Sequence, residues 1–147
     1  TILEEADRAA VDPILMLAII EVESGWDPDA VSHKGARGLM QLMSSALEVE
    51  VRRGPDLAPA DPHDPFLNVR AGIRTYRRML RAFKDVDLAL VAYNAGPARL
   101  ADALREAGEV PERLWSYPRR VRREERRLRQ ALDPERGLLH PVVAVAR

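Results

Sequence analysis

Residues 12–25 read Asp-Pro-Ile-Leu-Met-Leu-Ala-Ile-Ile-Glu-Val-Glu-Ser-Gly, and this stretch carries the clearest structural signal in the chain. Asp12 is a favourable N-cap, and the proline that follows it is pre-organised for the first helical position. Residues 14–20 have no polar face, so the helix that they form is expected to be buried on all sides. Gly25 ends this helix, because glycine readily takes the left-handed conformation found just past helix ends. The stretch therefore predicts a buried helix over residues 13–24.

Glu23 is the residue of this helix with a chemical consequence. It lies in the last turn, beside the negative end of the helix dipole, and it follows an apolar run. Both surroundings disfavour the charged carboxylate, so both raise its pKa. A carboxylic acid that stays protonated near neutral pH is what general acid catalysis requires. From the helix alone, an ordinary exposed glutamate is the better interpretation, and the motifs described below reverse that preference.

The rest of the chain predicts an all-α fold. Apolar residues recur at helical spacing, and no run alternates with the period of a strand. At 147 residues the chain is expected to be a single domain, 1–147, with a core of its own. A proline-rich connection spans residues 52–65, and residues 133–147 are expected to form a C-terminal tail, as a strand or a strap over the core. Helices are predicted over residues 2–11, 13–24, 38–51, 66–84, 87–94, 96–107 and 118–132.

Composition excludes several kinds of site. The chain has no cysteine, so it has no disulfide, thiolate nucleophile or thiolate metal site. No apolar stretch approaches the roughly 18 residues of a membrane span. The histidines are scattered in predicted loops and do not suggest a metal site. The chain starts at Thr1 and not at methionine, so the lack of a visible signal peptide carries no information.

The predicted helix over residues 119–132 is rich in arginine. Residues 119–129 contain seven arginines and two glutamates. The favoured interpretation is a solvated face, and its functional alternative is attraction to an anionic polymer, either of the cell wall or a nucleic acid. Nucleic-acid binding is the least favoured of these functions. On the solvated-face interpretation the buried side of the helix consists of Leu114, Val121, Leu128 and Leu132.

Short motifs follow the acid in a specific order. Ile-Ile-Glu-Val-Glu-Ser at 19–24 is followed by Ser32, by Gly-Ala-Arg-Gly-Leu-Met-Gln at 35–41, by Asn68 and by Ala-Tyr-Asn-Ala-Gly at 92–96. Together they resemble the soluble-type lytic transglycosylases, whose catalytic domain is related to goose-type lysozyme. The resemblance covers about residues 10–121. It implies a lysozyme-like, single globular helical domain with a substrate cleft.

The resemblance also implies an activity. Enzymes of this family cleave the β-1,4 bond between N-acetylmuramic acid and N-acetylglucosamine in peptidoglycan, and they do so without hydrolysis. One glutamate protonates the leaving oxygen and then acts as base on the C6 hydroxyl of the sugar, which closes a 1,6-anhydro ring. No metal or other cofactor is required. The implied partner is the peptidoglycan glycan strand, with envelope or secretion machinery as further candidates, and the implied location is the bacterial cell envelope, most often the periplasm.

The family's site residues carry over by position. We expect the Gln41 amide to hydrogen-bond the substrate and Met43 to pack on a sugar ring, although Met43 could equally belong to the core. Tyr93 is expected to point its hydroxyl at Glu23. Ser32 either bonds the carboxyl or the N-acetyl group, or caps a loop, and Asn94 is expected to brace a turn more than to touch sugar. With Glu23 as the catalytic residue, the implied substrate-binding set is Ser32, Gln41, Met43, Tyr93, Asn94, Glu112 and Tyr117.

Glu112 and Tyr117 depart from the family pattern. They stand one residue further apart than usual, and Pro118 replaces the usual apolar residue. Their place in the substrate site is therefore less secure than that of the other residues. Trp26 and Trp115 could stack on sugar faces or fill the core.

The sequence bears independently on the choice between hydrolysis and ring closure. Most glycosidases use two carboxylates, about 5 Å apart in retaining enzymes. No acidic residue occurs between positions 30 and 47. Asp27 and Asp29 are the nearest candidates, but the sequence Asp-Pro-Asp is typical of a turn with solvated side chains. A hydrolytic lysozyme and a non-catalytic wall-binding module remain the alternatives.

Overall fold

The computed structural model describes residues 1–54, 56 and 61–133, and this part of the chain is mostly helical. Extended backbone within it is limited to isolated bridges that pair Arg37 with Val31 and with Leu42. The all-α class expected from the sequence is confirmed. Beyond Asp133 the predicted tail lies outside the described residues. The helices are α1 Ile2–Arg8, α2 Pro13–Ser24, α3 Ser44–Arg53, α4 Pro65–Phe83, α5 Val86–Ala95, α6 Pro97–Ala107 and α7 Ser116–Ala131, with a 3₁₀ turn Glu112–Leu114 before α7.

Helix α2 has the ends that its sequence predicts. The Asp12 side chain accepts the Ile14 N–H at 2.8 Å, and Gly25 closes the helix with a φ of 58°. Most of the apolar run is buried, although Ile14 and Leu17 are partly exposed. Helices α1 and α7 pack against α2. The end of α2 that carries Glu23 is thereby set against the protein interior.

The remaining helices pack around α4 and α5. Helix α4 contacts α1, α3 and α5, and α5 also contacts α6 and α7. A main core cluster joins α1, α2, α4, α5 and α7, and a smaller cluster formed by Leu42, Leu47 and Ala71 lies under α3. Tyr93 contacts both clusters. The loop between α2 and α3 is thus anchored on the same core as the helices.

The predicted third helix is wrong at its start. The structure begins this helix at Ser44, and residues 38–43 form a tight loop. Two residues in this loop have a left-handed backbone conformation, with φ of +76° at Gly38 and +48° at Gln41. The apolar residues 39, 40 and 42 are buried because the loop folds inward. Their spacing imitated a helical stripe.

Asn68 on α4 holds this loop. Its side chain is fully buried, accepts the Met40 N–H at 2.7 Å and donates to the carbonyls of Arg37 (2.9 Å) and Pro62 (2.8 Å). A Cβ on Gly38 would overlap with the Asn68 side chain and the Pro62 carbonyl. Glycine is therefore required here by space as well as by its positive φ.

Helix α7 carries most of its arginines in ion pairs. Val121 is buried and Leu128 is half-buried against the core, as expected, but Leu132 is 59% exposed and does not belong to the buried side. The internal pairs neutralise part of the charge that suggested an anionic partner. They are Arg119–Glu112, Arg122–Asp87, Arg122–Glu125, Arg127–Glu124, Arg129–Asp12 and Arg129–Glu125.

Among the described residues, no helix combines the length and the apolar character that crossing a membrane would need.

Candidate active site

The candidate site is centred on Glu23 in the last turn of α2. The side chain of Glu23 is neither in bulk solvent nor sealed in the core, because the residue is only partly exposed. Next to Glu23, the Ser24 hydroxyl donates to the Ile20 carbonyl one turn earlier in the helix, at 3.2 Å, so it is not free as a nucleophile. The carboxyl of Glu23 is the reactive group at this end of α2.

Tyr117 is the hydrogen-bond partner of this carboxyl. Its hydroxyl donates to Glu23 Oε1 at 2.6 Å, and the residue is only 2% exposed. The bond exists because α7 packs along α2 and brings together residues that lie 94 positions apart. The expectation that Tyr117 contacts substrate is therefore wrong for its hydroxyl, which is buried and engaged by the acid. Tyr117 orients Glu23 through Oε1, and no residue of the described part of the chain hydrogen-bonds Oε2.

Burial raises the pKa of Glu23 from 4.5 to about 7. Loss of hydration is the largest cause, and the Tyr117 hydrogen bond and the positive charge of Arg120 act in the opposite direction. The Arg120 guanidinium lies 5.7 Å from the centre of the Tyr117 ring, a cation–π distance. A pKa near neutrality suits a group that must both donate and accept a proton.

No second carboxylate accompanies Glu23 in the described part of the chain. The charged group that shifts its pKa is Arg120, and no acid contributes. Asp27 accepts the Asp29 N–H at 2.9 Å, which is the turn predicted from the sequence, and Asp29 is exposed. The pKa of Arg127 on α7 is raised mainly by its hydrogen bond with Glu124, and the negative charge of Glu21 adds to this shift. The arrangement lacks the paired acids of most glycosidases.

Tyr93 is placed differently from the expectation. Its hydroxyl donates to the Met40 carbonyl at 2.7 Å and not to Glu23. Burial raises the pKa of Tyr93 well above its usual value, and the charge of Glu23 adds to this shift, so the two side chains are near each other. Tyr93 also meets Tyr76 edge-on, with ring centres 6.5 Å apart. Tyr93 fixes the loop to α5 beside the acid.

Gln41 and Ser32 are engaged by the backbone of the loop. Gln41 Nε2 donates to the carbonyls of Ala30 and Gly38, both at 3.0 Å, so its amide donors are not available to a sugar. Only the Gln41 carbonyl oxygen remains as an acceptor. The Ser32 hydroxyl accepts the Ala36 N–H at 3.0 Å, which fits the loop-cap alternative. Both side chains shape the loop beside Glu23.

Met43 and Asn94 are the exposed members of the predicted set. Met43 is 45% exposed, so the alternative that it fills the core is wrong. The Asn94 side chain is exposed, and its amide makes no hydrogen bond within the part of the chain described here, so it does not brace the turn. Trp26 is 43% exposed, whereas Trp115 packs on the core and donates to the Val110 carbonyl at 3.3 Å.

Glu112 does not join the site around Glu23. It is exposed, and its carboxylate pairs with Arg119 at 2.7 Å, a hydrogen bond that lowers the pKa of Glu112. In residues 1–54, 56 and 61–133 no cluster of histidine and carboxylate side chains suits a metal ion. Two groups of α7 act on Glu23 in roles that were not predicted from the sequence: Tyr117, expected as a substrate contact, is its hydrogen-bond donor, and Arg120 is its nearby charge.

Comparison with known proteins gives one consistent result. The family model described as "Transglycosylase SLT domain" matches residues 1–116. Membrane-bound lytic murein transglycosylase F 1 of Alkalilimnicola ehrlichii is 38% identical over 111 residues, which are 71% of this chain and 21% of that protein. The transglycosylase of Enterobacteria phage PRD1 is 34% identical over 86 residues, 58% of this chain and 30% of that protein. The chain thus spans less than a third of the length of these relatives.

Solved structures show the same fold. An inactive mutant of lytic transglycosylase Slt from Pseudomonas aeruginosa superposes with a TM-score of 0.77 at 26% identity, covering 90% of this chain and 24% of that one. The 70 kDa soluble lytic transglycosylase of Escherichia coli gives a TM-score of 0.74 at 25% identity, with 84% and 22% coverage. The lysozyme-like helical fold expected from the motifs is thereby confirmed.

Proposed function

This chain belongs to the transglycosylase SLT domain family, and we propose that it is a lytic transglycosylase that cleaves the bond between N-acetylmuramic acid and N-acetylglucosamine in peptidoglycan by ring closure. The observation that carries the proposal is a lone carboxyl, Glu23, whose pKa burial raises to about 7 and whose orientation Tyr117 holds. The motifs at 35–41 and 92–96 lie in the loop and helix joined by the Tyr93–Met40 hydrogen bond.

The first step uses Glu23 as an acid. Tyr117 donates to Oε1, so Oε2 carries the proton that is passed to the glycosidic oxygen. The bond between C1 of the muramic acid and that oxygen breaks, and the N-acetylglucosamine side leaves as an alcohol. The Glu23 carboxylate formed in this step is stabilised by the Tyr117 hydrogen bond and by Arg120, the two influences that lower its pKa.

The second step uses the same carboxylate as a base. It takes the proton of the C6 hydroxyl while the C6 oxygen bonds to C1, which closes the 1,6-anhydro ring and restores the acid. The N-acetyl group of the sugar stabilises the electron-poor C1 between the two steps. Proton and electron counts balance without water, and one carboxyl suffices. The absence of an acid partner for Glu23 in the described residues is in keeping with this route.

Product analysis tests the proposal. Purified sacculi are digested with the wild type and with Glu23→Gln, and the soluble muropeptides are weighed by mass spectrometry. The proposal predicts products lighter by one water than hydrolytic ones, and their loss in Glu23→Gln. Products with a free reducing end would establish a hydrolytic lysozyme instead. If Glu23→Gln clears the turbidity of a sacculus suspension as well as the wild type does, the chain is a wall-binding module with no catalysis by this residue.

The proposed substrate implies a location in the bacterial cell envelope. The relative from Alkalilimnicola ehrlichii is a membrane-bound murein transglycosylase, and a periplasmic site of action follows if this chain acts on the same polymer. Contacts with envelope or secretion machinery remain a prediction. Fractionation of the native host with an antibody against this chain tests the location directly, and recovery in the cytosol alone would contradict it.

A further inference from the structure

A second groove lies between α1, α3 and α4, and it shares no lining residue with the site around Glu23. Its volume is about 580 Å³. One wall is the polar face of α4, where arginines stand at positions 70, 74, 77, 78 and 81. Spacings of three and four residues bring side chains to the same side of a helix. At 1.5 Å per residue this arginine row is about 16 Å long.

The groove is strongly positive. Arg8 of α1 and Arg53 at the end of α3 also line it, so seven arginines face three acids. The excess of four positive charges is concentrated in one recess of a chain whose net charge is zero. A recess of one sign focuses its field and attracts ligands of the opposite sign.

The three acids hold part of the arginine row in place. Glu5 pairs with Arg70 at 2.8 Å, Asp56 pairs with Arg74 at 2.8 Å, and Glu50 pairs with Arg78 at 3.0 Å. Glu50 is itself buried, so this pair is part of the packed structure between α3 and α4. These pairs give the groove a fixed floor.

Three arginines of the groove have no acidic partner in the described residues, whereas Arg8 pairs with Glu5 at 2.7 Å. The three are Arg53 and Arg81, both exposed, and the half-buried Arg77. The Nε–H of Arg77 is buried and has no hydrogen-bond acceptor in the part of the chain that the structure describes. A buried donor without an acceptor is costly. The exposed guanidinium groups of Arg53 and Arg81 are the donors that the groove offers to an oxyanion.

We propose that this groove binds a peptide that carries several carboxylates, and that its source is the peptide branches of the glycan strand; the source, but not the groove, rests on the proposed function. Guanidinium groups pair with carboxylates through two parallel hydrogen bonds. Arg77 and Arg81 stand one helical turn apart, about 5 to 6 Å. Side chains two residues apart on an extended peptide are separated by about 7 Å and lie on one face. Alternate acidic residues therefore match this pair.

Two other anionic ligands fit the groove less well. A membrane surface is broad, whereas these arginines line a recess between three helices. Single-stranded nucleic acid is commonly bound by aromatic side chains that stack on its bases. No aromatic residue is among the described residues that line the groove. A short peptide is the occupant that the groove favours.

Binding without turnover tests the proposal. Glu23→Gln protein is titrated by calorimetry with a sugar-free stem peptide, with the synthetic peptide Ala-Glu-Ala-Glu-Ala and with its neutral analogue Ala-Gln-Ala-Gln-Ala. The two acidic peptides are expected to bind and the neutral one is not. Adding Arg53→Gln and Arg81→Gln should weaken acidic-peptide binding about fivefold, since each removes one exposed charge. The exposed positions make both changes safe for folding.

The matched control is Arg99→Gln with Arg113→Gln, which removes the same charge from exposed sites outside the groove. It should leave peptide affinity unchanged. A second variant, Arg81→Lys, keeps an exposed charge but cannot form two parallel hydrogen bonds with a carboxylate, and it should also weaken binding. The proposal is overturned if groove and control variants bind equally, if the neutral peptide binds as well, or if anionic vesicles or oligonucleotides bind more tightly than the peptides.

These experiments distinguish a groove that does not bind peptide from a Glu23 site that does not carry out the proposed cleavage. Peptide affinity is measured without cleavage, so it is independent of what Glu23 does. A double variant with Arg53→Gln and Arg81→Gln but with Glu23 intact should cleave peptide-free glycan at the wild-type rate, because the groove lies outside the site around Glu23. If the acidic synthetic peptide binds and the stem peptide does not, the assigned source is overturned.

Discussion

Replacing Tyr117 with phenylalanine removes one hydroxyl and keeps the ring that packs beneath Arg120. The lost hydrogen bond to Glu23 Oε1 is short, at 2.6 Å, and it favours the charged carboxylate. Hydrogen bonds to charged groups are worth about 1.5 to 3 kcal/mol. At about 1.4 kcal/mol per pKa unit, the pKa of Glu23 in Tyr117→Phe should rise by about one to two units, from about 7 towards 8 or above.

The assay is the initial rate of muropeptide release from sacculi between about pH 5 and pH 9. The alkaline limb of kcat/KM reports the acid of the free enzyme, so it should move to higher pH in Tyr117→Phe. The maximal rate should fall, up to about 100-fold, because the carboxyl loses the group that orients it. Rate and pH limb thus change together, which a purely structural loss would not produce.

Tyr93→Phe is the matched control. It also loses one buried hydroxyl, but that hydroxyl donates to the Met40 carbonyl and not to Glu23. Its alkaline limb should stay where the wild type has it. An alkaline limb that stays fixed or moves to lower pH in Tyr117→Phe, or an equal shift in Tyr93→Phe, would show that the Tyr117 hydrogen bond does not set the pKa of Glu23.

Other predictions concern stability. The folded protein holds the Glu23 proton more tightly than the unfolded chain does, so protonation of Glu23 contributes fully to the free energy of unfolding below about pH 4.5, and this contribution is lost by about pH 7. Glu23→Gln should therefore be more stable than the wild type by about 3 kcal/mol at pH 8 but not at pH 4. Urea unfolding at the two pH values measures this difference. Asn68→Ala leaves the buried Met40 N–H and the part-buried carbonyls of Arg37 and Pro62 without this partner and should cost about 3 kcal/mol, whereas Asn94→Ala, at an exposed side chain, should change thermal stability little. Gly38→Ala should lower the melting temperature more than Gly35→Ala, because both have a positive φ but only the first adds a clash; equal losses would contradict the packing argument.

Features set by neighbouring residues could be predicted from the sequence. The ends of α2 depend on Asp12 and Gly25, which act within one turn of the helix, and both occupy the predicted roles. The raised pKa of Glu23 follows from the apolar run beside it, and burial is indeed its largest cause. The turn at Asp27 is likewise local. In each case the cause lies within a few residues of its effect.

Features that depend on residues distant in the chain could not be predicted from the sequence. The Tyr117 bond to Glu23 depends on how α7 lies on α2, and no local pattern encodes that packing. The loop over residues 38–43 resembled a helix because its apolar residues have helical spacing, yet Asn68 on α4 holds its backbone in another shape. Gln41 was expected to donate to sugar because its motif does not reveal that two loop carbonyls accept its amide hydrogens.

The most direct test is the titration of the Glu23 side chain itself. Carbon-13 NMR of labelled glutamate carboxyls, with the Glu23 signal assigned by its absence in Glu23→Gln, follows the protonation of this group without substrate. We expect a single transition near pH 7, because burial holds the proton and no second acid in the described part of the chain shares it. A midpoint near pH 4.5, or a two-step titration coupled to another carboxyl, would contradict the claim that one buried acid alone supplies and recovers the proton.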